Sequence, residues 1–591
     1  MPNENKSKRN MIIMLAVALF VILVGNLLAC TTQTDWGKVK VRDVRFAGTN
    51  GIIMSALLYE PKGVTAKNPA PGILAIHGYI NTREMQDGFA IEFARRGYVV
   101  LALDQTGHGY SDPPAFENYF GGPDGLRYLR SLDIVDKDNI GLEGHSMGGW
   151  ALVFAAKEFP DGYKSVVLEG SGIGSINATF PRNMGVVLSE WDEFSQAMWG
   201  TPVAKDAVKG ALLKKAFGTT DDVVVGKLYG SIADGTARKF YQPRTTHPGD
   251  HISTAAIGDA IDWFQSTLQG GTPLPPSDQI WYWKEIGNLI ALIGMVLLFF
   301  PVASLLLRAN FFKDLDEAPA NPKSAKGIAW WISAIIIVVV PPLTYFSFKE
   351  YATKFKIAPN QIFPQSFTAQ LLVWLLLVGL IALVLFLIWH FAFNRKAKAT
   401  ASDYGLTWGK KLDWEKIGKS FLLAFLVAFV GYLTLVFSAW LFTVDFRFWL
   451  FAVKPLSPIQ FRAFLSYLIP FIVYFVILGL VLNGQLRPTG RKGTELSLRS
   501  EMSVNVVLLV LGFVGLLLFQ YIPLLMGGTL ALRSEILFSI IAIQILPLLT
   551  IVALVYTYFY RKTGHIYAGA FLSAMLVTWI LVASQAINIA F

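Results

Sequence analysis

The chain has 591 residues, 53% of them hydrophobic and 14% aromatic, with a mean hydropathy of +0.47. That length allows several domains, and that composition excludes a purely soluble protein. The net charge of +10 is not a nucleic-acid signature, because residues 31–285 carry 24 basic against 29 acidic side chains and the positive excess lies elsewhere.

The chain opens with Lys6, Lys8 and Arg9 and then an apolar run from Met11, which reads as a signal-anchor helix with its basic side inside. Cys30 is the only cysteine, so no intramolecular disulfide can form. Leu27-Leu28-Ala29-Cys30 resembles a bacterial lipoprotein signal except at Leu28, so residues 1–30 read as either an uncleaved anchor or a lipidated one.

Short apolar runs that read as strands and helices follow the anchor. Gly72 to Ile76 is an unbroken apolar run ending in His77-Gly78-Tyr79. Gly97 to Asp104 is a second run, followed by Gly107-His108-Gly109. Asn139 to Glu143 reads as a strand and Gly149 to Ala156 as a helix. Between them stands Gly144-His145-Ser146-Met147-Gly148, a serine on a sharp, glycine-flanked strand-to-helix turn. Asn183 to Leu188 leads into Glu190, Asp192 and Glu193. Thr246-His247-Pro248-Gly249-Asp250-His251 precedes an apolar-periodic helix through Ile261, Trp263, Phe264 and Leu268.

These pieces together resemble the α/β-hydrolase fold family of serine hydrolases over residues 38–270. The resemblance implies a doubly wound, mostly parallel sheet and the chain order nucleophile, acid, base. Carried over, these are Ser146 as nucleophile, Asp192 as acid and His251 as base, with Glu190 or Glu193 as rival acids and His247 as rival base. The backbone N–H groups of Tyr79 and Met147 would form the oxyanion hole. His77, Asp104 and His108 read as structural residues of the surrounding loops. The expected reaction is acyl transfer from an ester, thioester or amide through an acyl-enzyme that water resolves, with a carboxylesterase or lipase-like enzyme as the leading form. A prolyl-oligopeptidase-like peptidase is a close variant, although no propeller precedes the hydrolase. A membrane carrier whose hydrolase-like domain only binds ligand is the reading from another class. No phosphate-cradling loop, Cys-His cluster or paired zinc histidines occurs, so no cofactor or metal is expected. The long segment from Ala197 to Arg238 reads as a small cap over the site or as a surface excursion.

Gly270 to Ser277, rich in Gly and Pro, reads as a linker within 270–285, followed by Trp281, Tyr282 and Trp283 as an interfacial aromatic belt. Residues 286–591 read as an all-α bundle of about eight transmembrane helices, near 286–307, 328–347, 369–393, 420–442, 464–483, 503–526, 536–559 and 566–589. Lys and Arg concentrate in alternate loops, around 395–419, 487–499 and 561–562. That alternation places the hydrolase segment and the C-terminus outside a cell membrane that the chain crosses several times. The spans are nearly free of ionisable groups, His390 being the exception, which argues against an ion-coupled pump. The expected partners are the lipid bilayer and a small-molecule or lipid acyl substrate, with no nucleic acid.

Overall fold

Period-two alternation decides which face each strand residue takes. On the third strand Ile73 and Ala75 bury toward Phe89, Phe93, Ile261 and Phe264, while Leu74 and Ile76 bury toward Leu126, Leu129, Ala151 and Leu152 on the opposite face. A strand apolar on both faces must be covered by helices on both, and that is the arrangement in the computed structural model, which describes residues 2–321, 327–395, 398–489 and 494–590.

After helix α1 (Pro2–Gln33) the α/β part comprises β1 (Val39–Ala47), β2 (Ile53–Pro61), β3 (Ala70–Ile76), α2 (Asp87–Arg95), β4 (Val99–Asp104), α3 (Gly122–Ser131), β5 (Val135–His145), α4 (Met147–Glu158), β6 (Ser165–Glu169) and β7 (Met184–Val187). It continues with α5 (Ser195–Trp199), α6 (Ala211–Phe217), β8 (Leu228–Tyr229), β9 (Arg238–Tyr241) and α7 (Thr254–Thr267). The sheet order is β1-β2-β4-β3-β5-β6-β7-β9-β8. The central strands β4, β3, β5, β6, β7 and β9 are parallel, and β1, β2 and β8 join the edges antiparallel. Helices α2 and α7 cover one face; α3 and α4 cover the other.

The rest is helical: α8 (Tyr282–Leu306), α9 (Ile328–Phe348), α10 (Glu350–Lys354), α11 (Ser366–Trp389), α12 (Trp414–Phe442), a hairpin of β10 (Phe446–Phe448) and β11 (Phe451–Val453), α13 (Pro458–Gly479), α14 (Leu498–Leu525), α15 (Ile536–Thr563) and α16 (Tyr567–Ser584). With α1, nine helices among the described residues are long and apolar enough to cross a membrane. Helix α1 runs unbroken through Cys30 and packs on α8 at glycines: a Cβ on Gly25 would stand 2.5 Å from the Gly287 carbonyl oxygen. Backbones approach this closely only where small residues meet.

The last helix ends at Ser584, short of the expected 589. The chain beyond it leaves the bundle and pairs with the α/β part, Ala115 N–H donating to Ile587 O and Ile587 N–H to Gly107 O, both at 2.8 Å. The two parts meet along a broad front. Asn81 N–H donates to Ser584 O at 3.1 Å, Tyr110 Oη to Pro455 O at 3.0 Å, and Lys454 Nζ to Thr82 Oγ1 at 2.9 Å. Lys454 also pairs with the buried Glu84, which faces Arg83 and Arg447 as well. Burial opposes the charge of Glu84, but Lys454, Arg83 and Arg447 overcome it and hold the carboxyl well below its usual range.

Candidate active site

Ser146 lies between the last residue of β5, His145, and the first of α4, Met147, with φ 54° and ψ −120°. A non-glycine residue at positive φ is strained and persists only where its surroundings impose it. Here the imposition is visible. A Cβ on Gly148 would lie 2.1 Å from Ile76 O, and one on Gly144 would lie 2.7 Å from the Gly148 carbonyl carbon. The turn closes only with glycine at both places. Ser146 N–H donates to Glu169 O at 2.9 Å and Ser171 Oγ donates to Ser146 O at 2.6 Å, fixing the backbone on both sides.

The expected acid and base come together with one change of partner. Beyond the β7–β9 pairing, Trp191 and Thr246 form an isolated parallel bridge. The next residue on each chain is Asp192 and His247, and His247 Nδ1 lies 2.9 Å from Asp192 Oδ2. The other carboxylate oxygen accepts from Phe194 N–H at 2.7 Å. His251, expected as the base, is four residues further along, inside the helical turn Pro248–Ile252. It packs edge-on to Phe89 and against the His145 ring, and its Nδ1 has no hydrogen-bond partner among the described residues. The position beside Asp192 is thus taken by His247, because the parallel bridge delivers that residue to the acid and the following turn carries His251 past it. Of the rival acids, Glu193 accepts from His247 N–H at 2.7 Å, and Glu190 faces Lys205 and Arg244 near the surface.

Burial disfavours an imidazolium at His247, but Asp192, Glu193 and Asp250 outweigh it and raise its pKa above the ordinary histidine value. Burial, joined by the neighbouring His145 and His247, pushes His251 well below that value, so its ring is neutral. Glu193 is raised to about 7, chiefly by burial. His145 Nε2 approaches His247 O at 2.9 Å and lies 3.6 Å from Asp250 Oδ2, while Asp250 Oδ1 accepts from Ser189. These groups brace the loop that carries His247, a role the sequence reading did not assign.

On the other side of the serine, His77 Nε2 accepts from Gln105 N–H at 3.2 Å and its Nδ1 faces Gly78 O at 2.6 Å. His108 Nε2 reaches Tyr79 O at 2.6 Å, and Asp104 accepts from the N–H groups of Arg83 and Tyr110. These three residues therefore hold the Gly78-Tyr79 loop in place. Tyr79 and Met147 both line the cavity beside Ser146.

That cavity has a volume of about 220 Å³ and is bounded by Ser146, His247, His251, Trp150, Met198 and Met85. Its roof is Leu450 from the β10–β11 hairpin together with Leu537 and Ile540 from α15. Of the segment from Ala197 to Arg238, only Ala197 and Met198 reach the cavity, while Leu213, Ala216 and Phe217 of α6 pack into the sheet core. The helical half supplies the cover instead. The hairpin also grips the histidine loop, Trp449 Nε1 donating to Pro248 O at 2.6 Å. No sequence periodicity signals a contact between such distant segments. Among the described residues no group of three or more His, Cys, Asp or Glu side chains is arranged to hold a metal ion.

Residues 71–268 match the family model for the alpha/beta hydrolase fold. An uncharacterized protein of Mycobacterium tuberculosis is 30% identical over 155 residues, 25% of this chain and 43% of the relative. Mouse dipeptidyl peptidase 8 is 27% identical over 139 residues, 21% of this chain and 16% of the relative. The chain thus spans less than half the length of these curated relatives. Among solved structures, an esterase from Pyrococcus furiosus is 14% identical, with a TM-score of 0.30 over 40% of this chain and 96% of that one. A hypothetical protein from Pseudomonas aeruginosa is 30% identical, with a TM-score of 0.21 over 22% of this chain and 43% of that one. In its family match, its sheet order and its helices on both faces, the segment 71–268 is an alpha/beta hydrolase fold domain, joined here to a bundle of long apolar helices.

Proposed function

We propose that the protein is a membrane-embedded serine hydrolase that cleaves ester bonds through Ser146, His247 and Asp192. The observation that carries this reading is the 2.9 Å contact of His247 Nδ1 with Asp192, in the cavity that the strained Ser146 also lines. Asp192 accepts a hydrogen bond from Nδ1–H and so leaves Nε2 as the basic nitrogen. His247 takes the hydroxyl proton as Ser146 Oγ attacks the carbonyl carbon. The developing oxyanion is met by the N–H groups of Tyr79 and Met147. The imidazolium, stabilised by Asp192, then protonates the leaving alcohol as the acyl C–O bond breaks. Water, deprotonated by His247, attacks the acyl-enzyme and releases the acid and free Ser146.

The topology supports an extracytoplasmic site. The C-terminal segment after α16 is seated on the hydrolase domain, so both lie on one face of the bundle, and the Lys- and Arg-rich loops lie at the other. A peptidase is the second reading, favoured by the similarity to dipeptidyl peptidase 8. The test is fluorophosphonate labelling of the full chain in lipid nanodiscs, followed by turnover of matched p-nitrophenyl esters and dipeptide amides. Labelling that is lost in Ser146→Ala, with esters turned over faster than amides, is the expected result. Amides preferred over esters would establish the peptidase. Labelling retained in Ser146→Ala would overturn the assignment of the nucleophile, and no labelling of the wild type would leave a ligand-binding domain.

A further inference from the structure

Below the roof of the reaction cavity lies a second cavity, inside the helical bundle. It is about 80 Å³ and is lined by α9, α11, α13, α14, α15 and α16, among them Val378, Tyr474, Phe513, Ile541 and Ile545. The linings of the two cavities include chain neighbours. Leu450 and Ile540 border the upper one, and their chain neighbours Phe451 and Ile541 border the lower one. Met85, Leu450 and Ile540, which line the upper cavity, form a buried apolar cluster. Along α15 the lower cavity runs from Ile541 to Leu549, eight residues or about 12 Å at the rise of a helix. Its volume leaves room for a short stretch of hydrocarbon and none for a ring system. Its lining is almost wholly carbon; Gln544 also borders it, and its Nε2 has no hydrogen-bond partner among the described residues.

We propose that this intramembrane cavity holds the far end of the acyl chain of a lipid ester whose carbonyl is attacked by Ser146. The inference rests on the serine hydrolase reading above and adds to it the substrate class and the place of its tail. The chain enters between Leu450 and Ile540, which are apolar side chains that separate without breaking a polar contact, and it lies against α11, α13 and α15. Water is then kept from the tail while the ester remains among the polar groups of the upper cavity. Each methylene transferred from water to such a lining raises kcat/KM by roughly fourfold until the cavity is full.

The experiment uses the full chain in nanodiscs and a fluorophosphonate carrying a 12-carbon alkyl chain with a terminal diazirine. Ser146 Oγ bonds to phosphorus, fluoride leaves, and the hydroxyl proton passes to His247; light then fixes the chain end to its neighbours. The expected result is crosslinks on α11, α13 and α15 around Val378, Tyr474 and Ile545. Labelled Ser146 with crosslinks confined to the hydrolase domain or to nanodisc lipid overturns the proposal while leaving the hydrolase reading intact. No labelling at all overturns both. Ile545→Trp, which fills the lower cavity, is expected to lower the ratio of kcat/KM for dodecanoyl over acetyl ester at least tenfold. Leu548→Phe on the same wall serves where tryptophan is not tolerated, and an unchanged ratio in a folded, labelled variant also overturns the proposal.

Discussion

At the scale of single residues, the assignment of His247 in place of His251 makes the sharpest difference. His247→Ala is expected to reduce kcat by about 10⁴ to 10⁶, as removal of a triad base does elsewhere, and Asp192→Asn by about 10⁴. His251→Phe keeps a ring against Phe89 and is expected to stay within about tenfold of wild type; steady-state ester hydrolysis distinguishes the two. The reaction needs His247 neutral at the moment it takes the serine proton. Because Asp192, Glu193 and Asp250 raise its pKa over the opposing effect of burial, the acid limb of kcat/KM is expected above the usual histidine value of about 6.5. Removing the Asp192 charge moves that limb to lower pH, which a pH profile of Asp192→Asn would register. The strained turn at Ser146 and the placing of Asp192 were legible in the sequence because local patterns mark them: a glycine-bracketed turn, and a carboxylate just past a strand. Which histidine meets Asp192 was not, because His247 and His251 share one short loop, and the choice between them depends on a bridge between Trp191 and Thr246 that spans 55 residues.

At the scale of elements, the glycines of the elbow are demanded by backbone and not by preference. Gly148→Ala puts a methyl 2.1 Å from Ile76 O, a backbone atom that cannot swing aside. The variant is expected to lose at least 1–3 kcal/mol, the usual cost of overpacking, seen as a lowered Tm, and to react more slowly with fluorophosphonate because α4 and β3 must part. The sheet and the long helices were readable for a related reason. Alternation at Ile73 to Ile76 and apolar runs of twenty or more residues are local signals, and each reports burial directly. The end of α16 was not readable: apolar residues continue to Ala590, but Ile587 is spent on backbone pairing with Gly107 and Ala115 instead of on another helical turn.

At the scale of the whole molecule, the two halves are held together by charges that the sequence scatters over 370 positions. Glu84 sits beneath Lys454, Arg83 and Arg447, and Arg447 is in turn held by Asp445 at 2.8 Å. Nothing in a single sequence announces such a cluster, since each charge looks like an ordinary loop residue until the hairpin is laid on the hydrolase domain. Its consequence is a latch that is costly to break on one side only. Lys454→Met leaves Glu84 buried with part of its compensation gone, and losses of about 3–5 kcal/mol are typical of such a step. Adding Glu84→Gln removes the stranded charge, so the double variant is expected to recover much of that loss, and a double-mutant cycle on thermal unfolding in nanodiscs measures the coupling. The pH dependence has a definite sign. The Glu84 carboxyl is depressed in the folded protein, so its contribution is full above the ordinary carboxylate value and is lost only as pH falls through the lowered one. Because Leu450 lies on the same hairpin as Arg447 and roofs the cavity at Ser146, loosening the latch by acid or by Lys454→Met is expected to reduce hydrolysis of long-chain esters before the hydrolase domain itself unfolds. Activity and unfolding followed across the same acid titration would show one transition preceding the other; coincident transitions would mean that the two halves melt as one.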